Sequence, residues 1–144
     1  MIQQDTIRLL RECDAGIRMG ISSIDEVTDV ISDGALRSLL TRSKAEHEKL
    51  AGELRAQLSV YQDEGKSPNP VAQGMSWIKT NLKLAMNDSD RVVADLITDG
   101  CDMGVKSLSK YLNEYKAADE KSKDLAKRLI LLEESLAKEV RRYL

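Results

Sequence analysis

Apolar residues recur at steps of three and four along four long stretches of this 144-residue chain. The first stretch carries Leu10, Cys13, Ile17, Gly20, Ile24, Val27 and Ile31. The second carries Leu36, Leu40, Ser43, His47, Leu50, Leu54 and Tyr61. Ile97, Cys101, Val105, Leu108, Leu112 and Tyr115 mark the third, and Leu125, Leu129, Leu132, Leu136 and Val140 the fourth. A helix turns once in about 3.6 residues, so each set lies along one face. Four such faces are buried best against one another, which predicts an all-α four-helix bundle. Phe is absent and aromatics are 3% of the chain, so the core must be aliphatic, which suits helix-on-helix packing.

The helices are predicted over 3–31, 35–62, 90–116 and 121–143. Ser32-Asp33-Gly34 breaks the first pattern, and Ser32 or Asp33 can cap the next helix by accepting from its free N–H groups. The segment "DEGKSPNP" holds both prolines. Asn69-Pro70 reads as the start of a short extra helix over about 70–86, with Val71, Met75, Ile78, Leu82 and Met86 on one face. Met75 and Trp77 are expected to pin it to the bundle. The second long helix would span about 42 Å, and the short helix plus its loop can match that length. One long crossover is therefore predicted, with the second and third helices parallel; the alternative is a plain up-down bundle with the short helix folded aside. The whole chain, 1–144, reads as one unit: a hairpin at 3–62, a crossover at 63–89 and a hairpin at 90–144.

Charge excludes some partners. With 22 basic and 24 acidic residues the net charge is −2, so no basic excess points to nucleic acid or an anionic membrane. The start "MIQQDTIRLL" lacks the pattern of a secretion signal, and the aliphatic run "LILL" is too short for a membrane span. A cytoplasmic setting with reduced thiols is expected, and two cysteines are too few for a disulfide framework.

Both cysteines open the pattern Cys-Asp-x-Gly, at Cys13 and Cys101, an offset of 88 (101 − 13). The second and fourth helices match at an offset of 86, where "EHEKLAGELR" lies over "LEESLAKEVR" and His47 meets Glu133 (133 − 47). Together these suggest a duplicated helical hairpin. Five of the eight glycines (Gly16, Gly20, Gly52, Gly100 and Gly104) fall inside the predicted helices, each costing about 1 kcal/mol relative to Ala. Either close helix approach or room for a ligand would offset that.

Hairpin closure near 31–33 and 117–118 brings Cys13, His47, Cys101 and Glu133 towards the bundle middle. This is a candidate ligand set for a transition metal such as Fe or Zn, with Asp14, Glu48, Asp102 and Glu134 placed to support it by hydrogen bonds. Against this stands a structural reading. Cysteine usually packs as a small hydrophobe, Asp14 and Asp102 would be solvated flanks, and His47 would be satisfied by Glu133 or Glu46. A Cys13–Cys101 redox dithiol is a third reading. No catalytic residue is assigned, since nothing marks a pocket open to substrate.

The segments "LRSLLTRSKAEHEKL", "MSWIKTNLKLAM", "DLITDGCDMGVKSLSKYLNEY" and "EESLAKEVRRYL" give the chain a resemblance to the ferritin-like superfamily. More narrowly, it resembles a bacterial ferritin-like family of unknown function. The resemblance implies a four-helix bundle with one long crossover. Di-iron members of that superfamily carry a Glu on each of two helices and Glu-x-x-His on the other two. Here Lys44-x-x-His47 keeps only the His, and Ile130-x-x-Glu133 keeps neither residue. The nearest candidates for the remaining Glu pair are Glu12 or Asp14, and Asp99 or Asp102. Lys44 would repel a cation. The resulting expectation is a bundle without a working di-iron centre, in a structural, regulatory or interaction role, with an unidentified protein or a second copy as partner. The alternative is a metal-binding protein built on Cys13, His47, Cys101 and Glu133.

Overall fold

Two aspartates set where two of the helices begin. Asp33 accepts from the Leu36 amide at 2.9 Å, and Asp119 accepts from the Ser122 amide at 2.8 Å. Each satisfies one N–H that the first helical turn leaves without a partner, which is worth about 1 kcal/mol. The computed structural model describes residues 2–66 and 89–144. It contains α1 (Ile2–Thr28), α2 (Gly34–Val60), α3 (Ser89–Glu114) and α4 (Glu120–Val140), followed by a 3₁₀ turn at Arg141–Tyr143. The described residues contain no strand. No helix among them is long and apolar enough to cross a membrane. The predicted helix at 70–86, its Asn69-Pro70 start, and Met75 and Trp77 lie outside the described residues.

The helices end sooner than the periodicity implied. α1 stops at Thr28, whose hydroxyl donates to the Ile24 carbonyl at 2.7 Å, and Val30 then closes a turn on Val27. Ile31 leaves the helix yet stays buried, so the apolar stripe continues through the loop. α4 likewise tightens at Arg141, and Tyr143 packs against the core from the 3₁₀ turn. α2 closes with Gln62 at φ +56°, while Gln62 and Asp63 donate to the Ser59 and Leu58 carbonyls. This is a Schellman motif, in which the left-handed residue turns the chain back on itself.

Loop contacts reveal the helix directions. At one end Asp90, at the start of α3, accepts from the Ser32 and Asp33 amides at 2.7 and 2.9 Å. At the other end Asp5 and Thr6, at the start of α1, accept from Ala117 and Asp119 amides at 3.0 and 2.8 Å. Each hairpin loop is thus gripped by the first turn of the opposite hairpin. α1 and α4 run one way, α2 and α3 the other. The Tyr61 hydroxyl adds a bond to Asp119 at 3.0 Å. α1 packs on all three other helices, whereas α2 and α3 form the wide diagonal.

The core divides into two apolar clusters. One gathers Ile24, Val27, Leu36, Leu40, Ile97, Cys101 and Leu136 near the Asp33 end. The other gathers Leu10, Cys13, Ile17, Leu50, Leu54 and Leu129 near the Asp119 end. Burying each such Leu or Ile side chain contributes about 1.5–3 kcal/mol.

The glycines require a correction. Among the described residues nothing lies within 4 Å of a Cβ placed on Gly16, Gly52 or Gly100, and all three are exposed. Among the described residues these positions mark neither close helix approach nor a ligand cavity. Replacing each by Ala is expected to raise stability by about 0.5–1 kcal/mol, through a narrower unfolded ensemble and better helix propensity. Urea unfolding of the single variants and the triple variant checks this. A loss of stability in any of them would mean that the position is covered.

Candidate functional site

Between the two apolar clusters lies a polar layer. Each of its members is carried there by the stripe of its own helix: Gly20 on α1, Ser43 and His47 on α2, Gly104 on α3 and Glu133 on α4. His47 is 1% exposed and Glu133 8%. His47 Nε2 stands 3.0 Å from Glu133 Oε1, and Nδ1 stands 2.7 Å from the Ser43 carbonyl oxygen. Both partners are acceptors. A ring that satisfies both must donate twice, which only the imidazolium can do.

Gly20 supplies the space. A Cβ there would lie 3.2 Å from His47 Cδ2 and 3.5 Å from Glu133 Oε1. At Gly104 a Cβ would lie 3.8 Å from Glu133, an ordinary contact. The room expected at Gly20 and Gly104, both half-buried, is thus filled by the chain's own ring and carboxylate. Burial opposes the charge on His47, but the Glu133 hydrogen bond and charge, the Ser43 bond and nearby Glu46 outweigh it. The ring's pKa is raised above that of free histidine.

The cysteines fall on opposite sides of this layer. Cys101 belongs to the cluster nearer Asp33 and sits beside Glu133 within reach of a side-chain hydrogen bond. Cys13 belongs to the other cluster, with Leu50 and Ala51. Both are free and buried. Burial, reinforced by the charges of Glu12 and Asp14, pushes the Cys13 thiol up to about 12. Burial, then the charge and hydrogen bond of Glu133, pushes Cys101 up as well. Neither thiol is primed as a nucleophile, since it is the thiolate that reacts.

The structure therefore brings His47, Glu133 and Cys101 into one neighbourhood and places Cys13 in the other apolar cluster. Among the described residues no group of three or more His, Cys, Asp and Glu side chains could hold a metal ion. Both His47 nitrogens face acceptors, whereas a liganding imidazole needs one nitrogen turned to the metal.

The four supporting carboxylates scatter. Glu48, Asp102 and Glu134 are exposed, and Glu48 pairs with Lys44 at 3.7 Å. Asp14 is the surprise, fully buried where a solvated flank was expected. It meets Arg18 at 3.0 Å and accepts from the Lys66 amide at 3.0 Å. The chain after α2 folds back along α1 and covers it. Asp63 meets Arg11 at 3.3 Å and Lys66 meets Glu12 at 2.6 Å on either side. Sequence patterning also missed Thr6, Asp5 and Asp90, whose only signal was a short polar side chain in a first helical turn.

No protein-family model matches this sequence, and no curated protein or solved structure matches it either.

Proposed function

We propose that this chain is a ferritin-like bundle in which a buried imidazolium–carboxylate pair occupies the place of a metal centre, and that it serves as a structural, regulatory or interaction protein. One observation carries the reading. Both ring nitrogens of the buried His47 are turned to acceptors, the Glu133 carboxylate and the Ser43 carbonyl, rather than left bare for a metal. The parallel course of α2 and α3 favours the ferritin-like arrangement, because their link starts at one end of the bundle and finishes at the other.

The duplicated-hairpin reading gains support from two matched separations. The capping aspartates Asp33 and Asp119 are 86 residues apart (119 − 33), as are His47 and Glu133. Equivalent positions of the two hairpins would then meet on a pseudo-two-fold axis. Two unpaired buried thiols accord with a cytoplasmic setting. The larger exposed apolar side chains, Met19, Val30, Val60, Met103, Leu131 and Leu144, fall one to a helix, loop or terminus. No single helix presents an apolar outer stripe among the described residues, so the partner stays unassigned.

Metal analysis of chain purified without chelators, followed by titration with Fe(II) and Zn(II), tests the reading. Less than about a tenth of an equivalent per chain is expected, with weak titrations unchanged by His47→Gln. One equivalent retained by the native chain and lost in His47→Gln would overturn it.

A further inference from the structure

His47 is the only histidine in the chain. It sits on α2 in a polar layer between two apolar clusters, so its charge state acts on the packing around it. The groups around it come from every neighbouring helix. From α4 comes Glu133, at 3.0 Å from Nε2. Its own helix supplies the Ser43 carbonyl at 2.7 Å and the negative charge of Glu46. α1 contributes Gly20, which has no side chain to titrate and where a Cβ would lie 3.2 Å from the ring. The Cys101 thiol of α3 reaches Glu133.

The one donor within bonding reach of the ring among the described residues, the Ser43 hydroxyl, is 3.4 Å from Nδ1, farther than the Ser43 carbonyl at 2.7 Å. A neutral imidazole can donate only once, which leaves a lone pair aimed either at the Ser43 carbonyl or at the Glu133 carboxylate. Proton loss therefore weakens the bonds that tie the ring to α4 or hold it in place on α2.

We infer that the His47–Glu133 contact is a proton-operated latch between the two hairpins: the charged ring clasps α2 to α4, and neutralising it loosens them. The inference rests on the pair being metal-free, as proposed above. Its direction follows from linkage. The ring holds its proton more tightly in the folded chain than in the unfolded one. The added stability is thus fully present below the unfolded histidine value, about 6.5, and is lost as pH rises through the folded value. Alkalinisation opens this latch and acidification does not. Each unit separating the two values changes the folding equilibrium about tenfold.

Imidazole ¹H–¹⁵N spectra of the full chain from about pH 5 to 9, paired with urea unfolding at each pH, test the latch. Two protonated ring nitrogens are expected near pH 6.5, with titration above that of the urea-unfolded chain. The urea midpoint should fall across the same interval, and amide protection in α2 and α4 should drop with it. Glu133→Gln should move the titration down and flatten the stability profile. A neutral ring at pH 6.5, or stability that stays flat across the titration, would overturn the proposal. Should Glu133→Gln fail to fold, the native chain decides alone. Metal content of the same sample separates the two readings. Metal on His47 removes the function proposed above, whereas a metal-free chain with a flat profile removes only the latch.

Discussion

His47→Ala is expected to cost about 3–5 kcal/mol of stability, a large share of what holds a domain of this size together. The substitution leaves the Glu133 carboxylate buried without its counter-charge. It also opens a void facing Gly20, where no side chain can move in to fill it. The double variant His47→Leu/Glu133→Leu is expected to recover most of that loss, ending within about 1–2 kcal/mol of the native chain. Two apolar groups of suitable volume remove the desolvation cost along with the attraction. Urea unfolding of both variants supplies the measurement. A single-variant loss below about 1 kcal/mol would show that the pair carries no strain when broken. A double variant as weak as the single would show that the layer needs its charge. The first outcome would also undermine the latch.

The second large effect is expected at Gly65, in the segment that folds back over α1. Its φ of +88° lies in the left-handed region, where a side chain is strained. A Cβ there would fall 2.2 Å from Asp14 Oδ2. That oxygen has little freedom, being held by Arg18 and by the neighbouring Lys66 amide. Backbone strain of about 1–2 kcal/mol and overpacking of about 1–3 kcal/mol put the cost of Gly65→Ala at about 2–5 kcal/mol. Undocking of residues 61–66 would relieve it, exposing Asp14 and Leu58. Thermal unfolding together with limited proteolysis at this segment checks the outcome. A native melting point and unchanged cleavage would mean that the strap contributes nothing. Gly65→Ala combined with Asp14→Ala should relieve the clash but not the backbone strain, so only part of the loss should return.

Periodicity made much of the fold legible. Ile17, Leu40, Leu54, Leu129 and Val140 follow from spacing alone, and all are buried. Asp33 was readable as a cap because a short acceptor follows a broken apolar stripe. The pairing of His47 with a carboxylate was readable too, since a lone imidazole on an apolar face needs a partner, although Glu46 competed with Glu133 on paper. Glu46 lies one residue away on the same helix, which turns it to the exposed side.

Other features left no local trace. Gly16 and Gly20 sit one turn apart on α1, yet only Gly20 meets His47. Asp14 reads as a solvated flank of Cys13 until the segment after α2 folds back to cover it. Cys13 and Cys101 share a motif, yet they belong to different clusters.

What the sequence determined by itself is the set of helices: how many long stripes there are, roughly where each begins, and which face of each seeks the core. Those properties arise from backbone bonds four residues apart and from side-chain spacing along one element. Which polar groups on those faces meet was decided only in the tertiary structure. That outcome depends on the height and rotation of neighbouring helices, and one residue of slip moves a side chain by about 1.5 Å and 100°. Such a slip would part His47 from Glu133 while leaving every apolar stripe recognisable.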